Sequence, residues 1–236
     1  DIHAVDYCLE IVKAIGGIPD SEPEMEIEVT ESDITLVKKS LELKNIIANK
    51  PLLAIHPGGR FFELKRLPEE KFSKLLKLID SELDMQVALV GGPAEREIAE
   101  KIVDAGYNYK NRPRIFTGEL SLKETAALMK LSDLFIGNDS APQHIAAAMG
   151  TPVIALFGPT NQANFHPYGT DYKIVSSEAD CSPCFFWLGS LVQYLPEYLP
   201  EWINKCDKTC MNEIDLNDII KAVRYFIPAV RQDAMV

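Results

Sequence analysis

Short apolar runs alternate with longer amphipathic stretches along the chain after Pro51. The runs are rich in Val, Ile and Leu, which is typical of strands buried on both faces of a sheet. They predict strands over 52–55, 86–90, 114–117, 134–136, 153–157 and 172–175. Apolar residues at helical spacing predict helices over 69–82, 94–105, 121–132 (with Ser121 as cap), 141–149 and 216–227. This alternation predicts an α/β fold, a doubly wound parallel sheet with helices on both faces.

The first 48 residues follow a different pattern. Apolar residues at helical spacing predict an amphipathic helix over 3–16 that ends at a Gly-Gly pair. An acidic linker with a short strand candidate at Met25–Val29 follows, and Ser32 or Asp33 is expected to cap a helix running to about Asn45. The predicted organisation is a helix and linker over 1–48, an α/β domain over 49–227 with a Cys-rich and aromatic-rich insertion at 181–213, and a tail over 228–236.

The composition narrows the class of protein. The 236 residues, 47% of them hydrophobic, suffice for one large domain or one domain with an appendage. A net charge of −11 without a basic cluster argues against a nucleic acid as partner. We expect a cytoplasmic protein, because no secretory signal or membrane-spanning run is evident and the cysteine usage suits a reducing compartment. Cys8 is expected to be a small buried hydrophobic residue. The chain opens in a helical pattern without Met, so we expect a piece of a longer protein.

Loops after four of the predicted strands carry candidate chemistry, because sheets of this class bind ligands outside the carboxyl ends of their strands. The first loop reads His-Pro-Gly-Gly-Arg over 56–60, with Lys65 shortly after it. Gly58 and Gly59 allow a ligand to approach the backbone closely, and Lys65 is a cation suited to a diphosphate. The alternative for this loop alone is an ordinary Gly-Gly turn followed by a surface lysine.

The second and third loops follow the next two predicted strands. Gly92 leads into a Pro-Ala-Glu helix start, which is ordinary strand-to-helix chemistry. Glu95 is either an acceptor for ribose hydroxyls or a favourable charge in a first helical turn. The third loop, Thr117–Ser121, is either a wall for a flat base or a simple loop that ends in a helix cap.

The fourth loop belongs to the most informative stretch, Gly137–Thr160. Here a polar turn at Asp139 and Ser140 opens a short helix, whose first N–H groups and dipole favour phosphate. Taken alone, either turn residue is simply an N-cap, and His144 is a surface or core histidine. All four loops fall at one edge of the predicted sheet and together supply backbone donors, a cation and an acidic group, so we predict a phosphate-containing ligand.

Four cysteines cluster late in the chain, as Cys181-Ser-Pro-Cys184 and Cys206-x-x-x-Cys210. The first pair has zinc-knuckle spacing and the second is one residue wider, so a structural four-thiolate zinc site is one alternative, and reduced thiols or disulfides are the others. The aromatic segment 185–203 between the pairs suits a lipid interface, a packed flap or a contact with another domain.

Other nucleotide and hydrolase motifs do not occur in the sequence. There is no G-x-x-x-x-G-K-[ST] loop and no G-x-G-x-x-G after the first strand, which argues against a P-loop NTPase and a nicotinamide enzyme. A G-x-S-x-G nucleophile elbow is absent too.

Taken in order, these motifs resemble glycosyltransferase family nine, which includes the lipopolysaccharide heptosyltransferases. The resemblance rests on His-Pro-Gly at 56–58 with Lys-Arg-Leu-Pro at 65–68, Gly-Gly-Pro-Ala-Glu at 91–95, Thr-Gly at 117–118 before Ser-Leu at 121–122, Asp-Ser-Ala-Pro-Gln-His-Ile-Ala at 139–146, Leu-Phe-Gly-Pro-Thr at 156–160, and the cysteines ending in Cys210-Met211. Departures are Ala141 where many members have Gly, Leu67 where many have an aromatic, and a longer spacing within the cysteine cluster.

The resemblance implies the C-terminal domain of a GT-B glycosyltransferase, in which two Rossmann-like domains face a cleft. In that family the first domain binds the acceptor and the second binds the nucleotide sugar, so this chain resembles the donor-binding half. The implied donor-binding residues are Gly58, Gly59, Lys65, Gly92, Glu95, Leu120, Asp139, Ser140, Ala141 and His144. Lys65 and the 139–141 turn would meet the diphosphate, Glu95 would lie near the ribose, and Leu120 would border the adenine.

The resemblance also implies a reaction, the inverting transfer of heptose from ADP-heptose to a lipopolysaccharide core acceptor. Lys65 would stabilise the departing diphosphate, without a catalytic metal. The general base of the family lies in the first domain, so we expect this chain alone to bind nucleotide without transferring sugar. Peripheral contact with the inner face of the inner membrane would follow from a lipid-linked acceptor. The alternatives are a non-catalytic nucleotide or nucleotide-sugar module, and a zinc-bearing structural domain whose cysteine segment binds a partner.

Overall fold

A single parallel sheet organises the computed structural model, which describes residues 2–18, 22–59, 63–184 and 206–233, with side chains up to 226. The strands are β1 (Leu52–His56), β2 (Gln86–Leu89), β3 (Arg114–Ile115), β4 (Leu134–Asn138), β5 (Val153–Phe157) and β6 (Tyr172–Ser176). Their order across the sheet, β3-β2-β1-β4-β5-β6, is that of the Rossmann fold. The predicted fold class is therefore confirmed.

Helices flank this sheet throughout the described residues. They are α1 (Ala4–Ala14), α2 (Glu31–Leu43), α3 (Glu69–Glu82), α4 (Arg96–Ala105), α5 (Leu122–Lys130), α6 (Ala141–Ala148), α7 (Gln162–Phe165), α8 (Thr209–Asn212) and α9 (Leu216–Asp233). Short 3₁₀ turns at Glu63–Lys65 and Pro93–Glu95 precede α3 and α4. Helix α3 has the predicted bounds, whereas α9 continues through most of the predicted tail at 228–236.

Two apolar cores lie on opposite faces of the sheet, because successive strand residues point to opposite sides. In β1, Leu53 and Ile55 pack in the core that includes α3, α4 and α9, whereas Leu52 and Ala54 pack in the core that includes α2, α5 and α6. Every residue of β1 is buried. This two-sided burial explains the uninterrupted apolar runs in the sequence.

The register of the strands brings the candidate loops to one edge of the sheet. Ile55 in β1 lies beside Leu89 in β2 and Ile136 in β4, and His56 lies beside Gly137. Because the strands are parallel, the loops after β1, β2, β3 and β4 all leave from the same edge.

Helix α1 forms where the sequence predicts it but is not buried as predicted. Cys8 is exposed, which contradicts the expectation of a small buried hydrophobe, and Val12 is exposed as well. The helix is attached at its start, where the His3 ring accepts from the Val5 N–H and its Nε2 lies 3.0 Å from the carbonyl oxygen of His166. Helical spacing predicted the helix correctly, but the described part of the chain leaves its apolar face open.

The strand candidate at Met25–Val29 is wrong, because residues 22–30 are extended without pairing to a strand. Half-buried and exposed residues alternate along them, and Met25 and Val29 pack on the core that contains α2. The alternation in the sequence therefore reflects an extended segment packed on one side only. A strand would also need a hydrogen-bonded neighbour.

The cap of α2 is Thr30, not Ser32 or Asp33 as predicted. The Thr30 hydroxyl accepts from the Asp33 N–H at 3.3 Å, and the Asp33 carboxylate accepts from the Thr30 N–H at 2.8 Å. This reciprocal pair is a capping box, so Asp33 takes part in capping from the third helical position.

Replacing Thr30 by Ala should lower the free energy of unfolding by about 1 kcal/mol, because the first turn of α2 loses its side-chain acceptor. Urea unfolding followed by circular dichroism measures the change. Ser81→Ala is the matched control, since the exposed Ser81 hydroxyl donates only to the Leu78 carbonyl of its own helix. Equal effects of the two changes would contradict a stabilising role for the capping box.

Candidate functional site

The buried carboxylate of Glu95 joins the loops after β1 and β2. Its Oε1 accepts from the Gly59 N–H and its Oε2 from the Gly92 N–H, each at 2.8 Å. Both oxygens lie 3.2 Å from Nε2 of His56, the last residue of β1. One side chain thus ties together two of the loops that the sequence predicted to meet.

The environment of Glu95 keeps its carboxylate ionised. Burial alone would raise its pKa, but the hydrogen bond and charge of His56, with the N–H groups of Gly92 and Gly59, lower the pKa to about 2. The sequence allowed two interpretations of Glu95, an acceptor for ribose hydroxyls or a favourable charge in a first helical turn. The structure shows it as a buried cross-link, and its role toward a ribose stays a prediction.

Two glycines make room for this carboxylate. A Cβ on Gly58 would lie 1.8 Å from Oε1 of Glu95, and one on Gly91 would lie 2.7 Å from Oε2. Gly91 also has a φ of +155°, which disfavours other residues. The sequence assigned close approach at Gly58 to a ligand, whereas here the neighbour is Glu95. Likewise, the N–H groups of Gly59 and Gly92 donate to Glu95.

Lys65 forms an ion pair where helix α6 begins. Its Nζ lies 2.7 Å from Oδ2 of the buried Asp139. The Thr160 hydroxyl donates to the same oxygen at 2.7 Å, and Gln143 donates to Oδ1 at 3.1 Å. The side chain of Lys65 is 21% exposed, so it is not a freely solvated surface lysine. Its cation is held beside the first turn of α6.

Neither Asp139 nor Ser140 caps α6 through its side chain, although both were predicted as alternatives for that role. Ser140 occupies the N-cap position without a capping hydrogen bond. Its hydroxyl lies 3.3 Å from Nδ1 of His56 and 3.1 Å from the carbonyl oxygen of Asn138. Both side chains are therefore committed to neighbouring loops, and the first N–H groups of α6 need other acceptors.

Asn138 is a site residue that sequence reasoning missed. The buried amide accepts from the Leu67 N–H at 3.0 Å and donates to the carbonyls of Pro57 and Gly58 at 3.2 and 2.9 Å. It therefore fixes the loop after β1 against the end of β4. A polar residue at the end of an otherwise apolar strand was the available signal, because a buried amide needs partners.

The remaining predicted residues lie around this centre. Leu120 is half-buried against the core that contains α5, and the neighbouring Glu119 holds its loop by ion pairs with Lys44 (2.8 Å) and Arg96 (2.9 Å). His144 is half-buried in α6, and burial lowers its pKa. The structure thus brings Gly58, Gly59, Lys65, Gly92, Glu95, Asp139 and Ser140 together by direct contacts, with Ala141 and His144 next along α6 and Leu120 on the adjacent loop. Arg60 lies outside the described residues.

The cysteine cluster packs behind the loop after β5. Cys210 is buried, with its Sγ 3.0 Å from where a Cβ on Gly158 would lie. Cys184 and Cys206 are half-buried and Cys181 is exposed, and no disulfide joins any of the described cysteines, so the disulfide alternative is not observed. Burial, with the nearby thiols, raises the pKa of Cys210 to about 11. Among the described residues no group of three or more His, Cys, Asp or Glu side chains can hold a metal ion, and the zinc site stays a prediction.

The aromatic segment 185–203, for which a lipid interface was one alternative, lies outside the described residues. Within the described ranges, no helix combines the length and the apolar character needed to cross a membrane. The lipid-interface alternative therefore stays untested.

The fold and the site together define a class of protein, a Rossmann-like domain whose carboxyl edge presents a lysine and a helix start suited to an anion. The model of glycosyltransferase family 9 (heptosyltransferase) matches residues 1–194. The chain belongs to this family, which confirms the resemblance read from the motifs.

Individual relatives are similar over part of their length. Lipopolysaccharide heptosyltransferase 2 of Salmonella typhimurium is 28% identical over 160 residues, covering 67% of this chain and 44% of the relative. The glycosyl transferase family 9 structure from Veillonella parvula has a TM-score of 0.76 at 22% identity, covering 97% of this chain and 61% of that one. The structure of E. coli ADP-heptose LPS heptosyltransferase II has a TM-score of 0.60 at 23% identity, covering 70% of this chain and 49% of that one. The two structures share the fold, and this chain spans about half the length of the curated relatives it matches.

Replacing Glu95 by Gln should lower the free energy of unfolding by about 1–3 kcal/mol at neutral pH, because an amide donor would face the backbone donors that the carboxylate now accepts. Folding lowers the pKa of Glu95 from 4.5 to about 2. The ionised carboxylate therefore stabilises the folded protein above about pH 4.5, and this contribution declines as the pH falls from there toward 2.

Urea unfolding of both proteins from pH 7 to pH 3 measures this dependence, with exposed Glu70→Gln as the control. The difference between wild type and Glu95→Gln should narrow below about pH 4.5. A difference that stays constant over the whole range would contradict the assigned ionisation of Glu95.

Proposed function

We propose that this chain is the donor-binding half of an inverting glycosyltransferase that transfers heptose from ADP-heptose to a lipopolysaccharide core acceptor. The observation that carries the proposal is the Lys65–Asp139 pair at the start of α6, where four strand-end loops meet. Family membership supports glycosyl transfer, and the names of the similar proteins support heptose, ADP and lipopolysaccharide.

Lys65 and α6 are suited to hold the diphosphate. A lysine ammonium has three donors, and Asp139 accepts from it here, so the ammonium has further donors for phosphate oxygens. The first N–H groups of α6 and its dipole act in the same direction. Both would stabilise the charge that develops on a departing nucleoside diphosphate, without a divalent metal.

Glu95 is suited to the ribose and Leu120 to the base. A carboxylate offers about four acceptor sites. Gly59, Gly92 and His56 supply its donors here, which leaves capacity for a ribose hydroxyl. Leu120 offers an apolar surface beside the same loops, as a flat adenine requires.

The general base and the acceptor site belong, in this proposal, to a further domain. The chain alone would then bind the donor without transferring sugar, and the lipid-linked acceptor would place the complete protein at the cytoplasmic face of a membrane. Within the complete reaction, the role proposed for this chain is to recognise the nucleotide sugar.

A calorimetric screen of ADP, GDP, UDP and their sugars against the purified chain tests the proposal. We expect ADP and ADP-heptose to bind more tightly than their guanine and uracil counterparts, because adenine has one exocyclic polar group to desolvate beside Leu120, whereas guanine and uracil each have two. Absence of binding to every nucleotide would contradict the proposal. Sugar transfer by the chain alone would contradict the assignment of the base to a further domain.

Lys65→Ala should weaken ADP binding about 10- to 100-fold and leave adenosine binding nearly unchanged, because in this proposal the ammonium meets the diphosphate of ADP and not its adenosine part. Asp139 keeps its donors from Thr160 and Gln143, and an unfolding transition checks that the variant folds. The exposed Lys74→Ala on α3 is the matched control. Unchanged ADP affinity in the Lys65 variant would refute the role of Lys65.

A further inference from the structure

We propose that His56 is a positioning residue that couples the nucleoside end of the site to its diphosphate end. The inference rests on the proposed function, because it concerns how the two ends of a nucleotide site are held relative to each other. His56 ends β1, a strand in the interior of the sheet, and is only 3% exposed.

The two ring nitrogens of His56 face two different loops. Nε2 lies 3.2 Å from both carboxylate oxygens of Glu95, in the loop after β2. Nδ1 lies 3.3 Å from the hydroxyl of Ser140, in the turn after β4. These are the loops to which the proposed function assigns the ribose and the diphosphate. A rigid ring between them sets the distance from one to the other.

Two glycines lie beside the side chain of His56, Gly91 after β2 and Gly137 in β4. A Cβ on Gly91 would lie 3.4 Å from Cδ2 of His56, and one on Gly137 would lie 3.5 Å from its Cβ. Both distances are ordinary van der Waals separations, so the side chain of His56 packs close to its neighbours on both flanking strands. Its polar contacts with Glu95 and Ser140 then orient the ring.

The chemistry of the partners fixes which nitrogen donates. Ionised Glu95 only accepts hydrogen bonds, so Nε2 of His56 carries a proton and donates to it. The Ser140 hydroxyl lies 3.3 Å from Nδ1 and 3.1 Å from the carbonyl oxygen of Asn138, and its single proton can be donated to either of these acceptors. His56 thus has a separate polar link to each end of the site, and the two links can be removed one at a time.

Two amide substitutions separate these links. The amide of Gln reaches the place of Nε2, so His56→Gln keeps a donor toward Glu95 and loses the contact with Ser140. The shorter amide of Asn reaches the place of Nδ1, so His56→Asn keeps the contact with Ser140 and loses that with Glu95. His56→Ala removes both.

The test measures binding of ADP and adenosine to wild type and the three variants, by calorimetry or NMR titration, together with each unfolding free energy. We expect His56→Gln to bind adenosine as wild type does and ADP about 3- to 10-fold more weakly. His56→Asn should lose about 3- to 10-fold in affinity for both ligands and keep their ratio. His56→Ala should show both defects, and Lys74→Gln at an exposed position of α3 should show neither.

The outcomes separate this inference from the proposed function. Wild-type protein that binds no adenine nucleotide overturns both. Wild-type binding of ADP with unchanged affinities in all three variants overturns the inference alone. Equal losses for ADP and adenosine in the Gln and Asn variants, in proportion to lost stability, would assign His56 a purely structural role and overturn it as well.

Discussion

An ionised carboxylate buried at the carboxyl edge of the sheet is the constraint around which the candidate site is built. A charge removed from water is tolerated only when donors replace its solvent. Glu95 receives them from two loops and from the ring of His56. Gly58 follows from the same constraint, because any side chain there would collide with the carboxylate. The loop after β1 therefore adopts a conformation in which its backbone replaces water around the carboxylate of Glu95.

The same rule governs the second buried carboxylate. Asp139 is surrounded by the ammonium of Lys65, the hydroxyl of Thr160 and the amide of Gln143. Lys65 is consequently ordered before any ligand arrives. A side chain that is already ordered loses less conformational freedom on binding, which would lower the entropy cost of the proposed diphosphate recognition.

The sheet could be predicted from the sequence because burial on both faces leaves a continuous apolar run. Strand β5 has its predicted bounds, and the other strands differ by one or two residues. The expectations that failed concerned which residues pack against a helix or pair with an extended segment. Cys8 lies in a correctly predicted helix but is exposed. Half-buried and exposed residues alternate over Met25–Val29, but this segment does not form a strand. Hydrophobic spacing shows that a face is apolar, but does not identify its neighbour.

The residues of the site were predictable by type and by strand end, because parallel strands deliver their loops to one edge. Their contacts were not predictable, because the partners lie far apart in sequence. Glu95 meets Gly59 across 36 residues, and Asn138 meets Gly58 across 80. A local motif contains no information about such pairs. The contacts of Asn138, and the position of His56 between two loops, could therefore not be predicted from the motifs.

In the proposed function, the ribose and the diphosphate of the nucleotide sugar would lie beside differently charged parts of the sheet edge. A carboxylate without a neutralising lysine repels a diphosphate placed beside it, whereas hydroxyls donate well to carboxylates. Glu95 therefore suits the ribose, and Asp139 both orients Lys65 and offsets its charge. The net attraction for phosphate is left to the remaining donors of Lys65 and to the first turn of α6. A ligand that alternates hydroxyl-rich and anionic parts matches this order, and a ligand that is uniformly anionic does not.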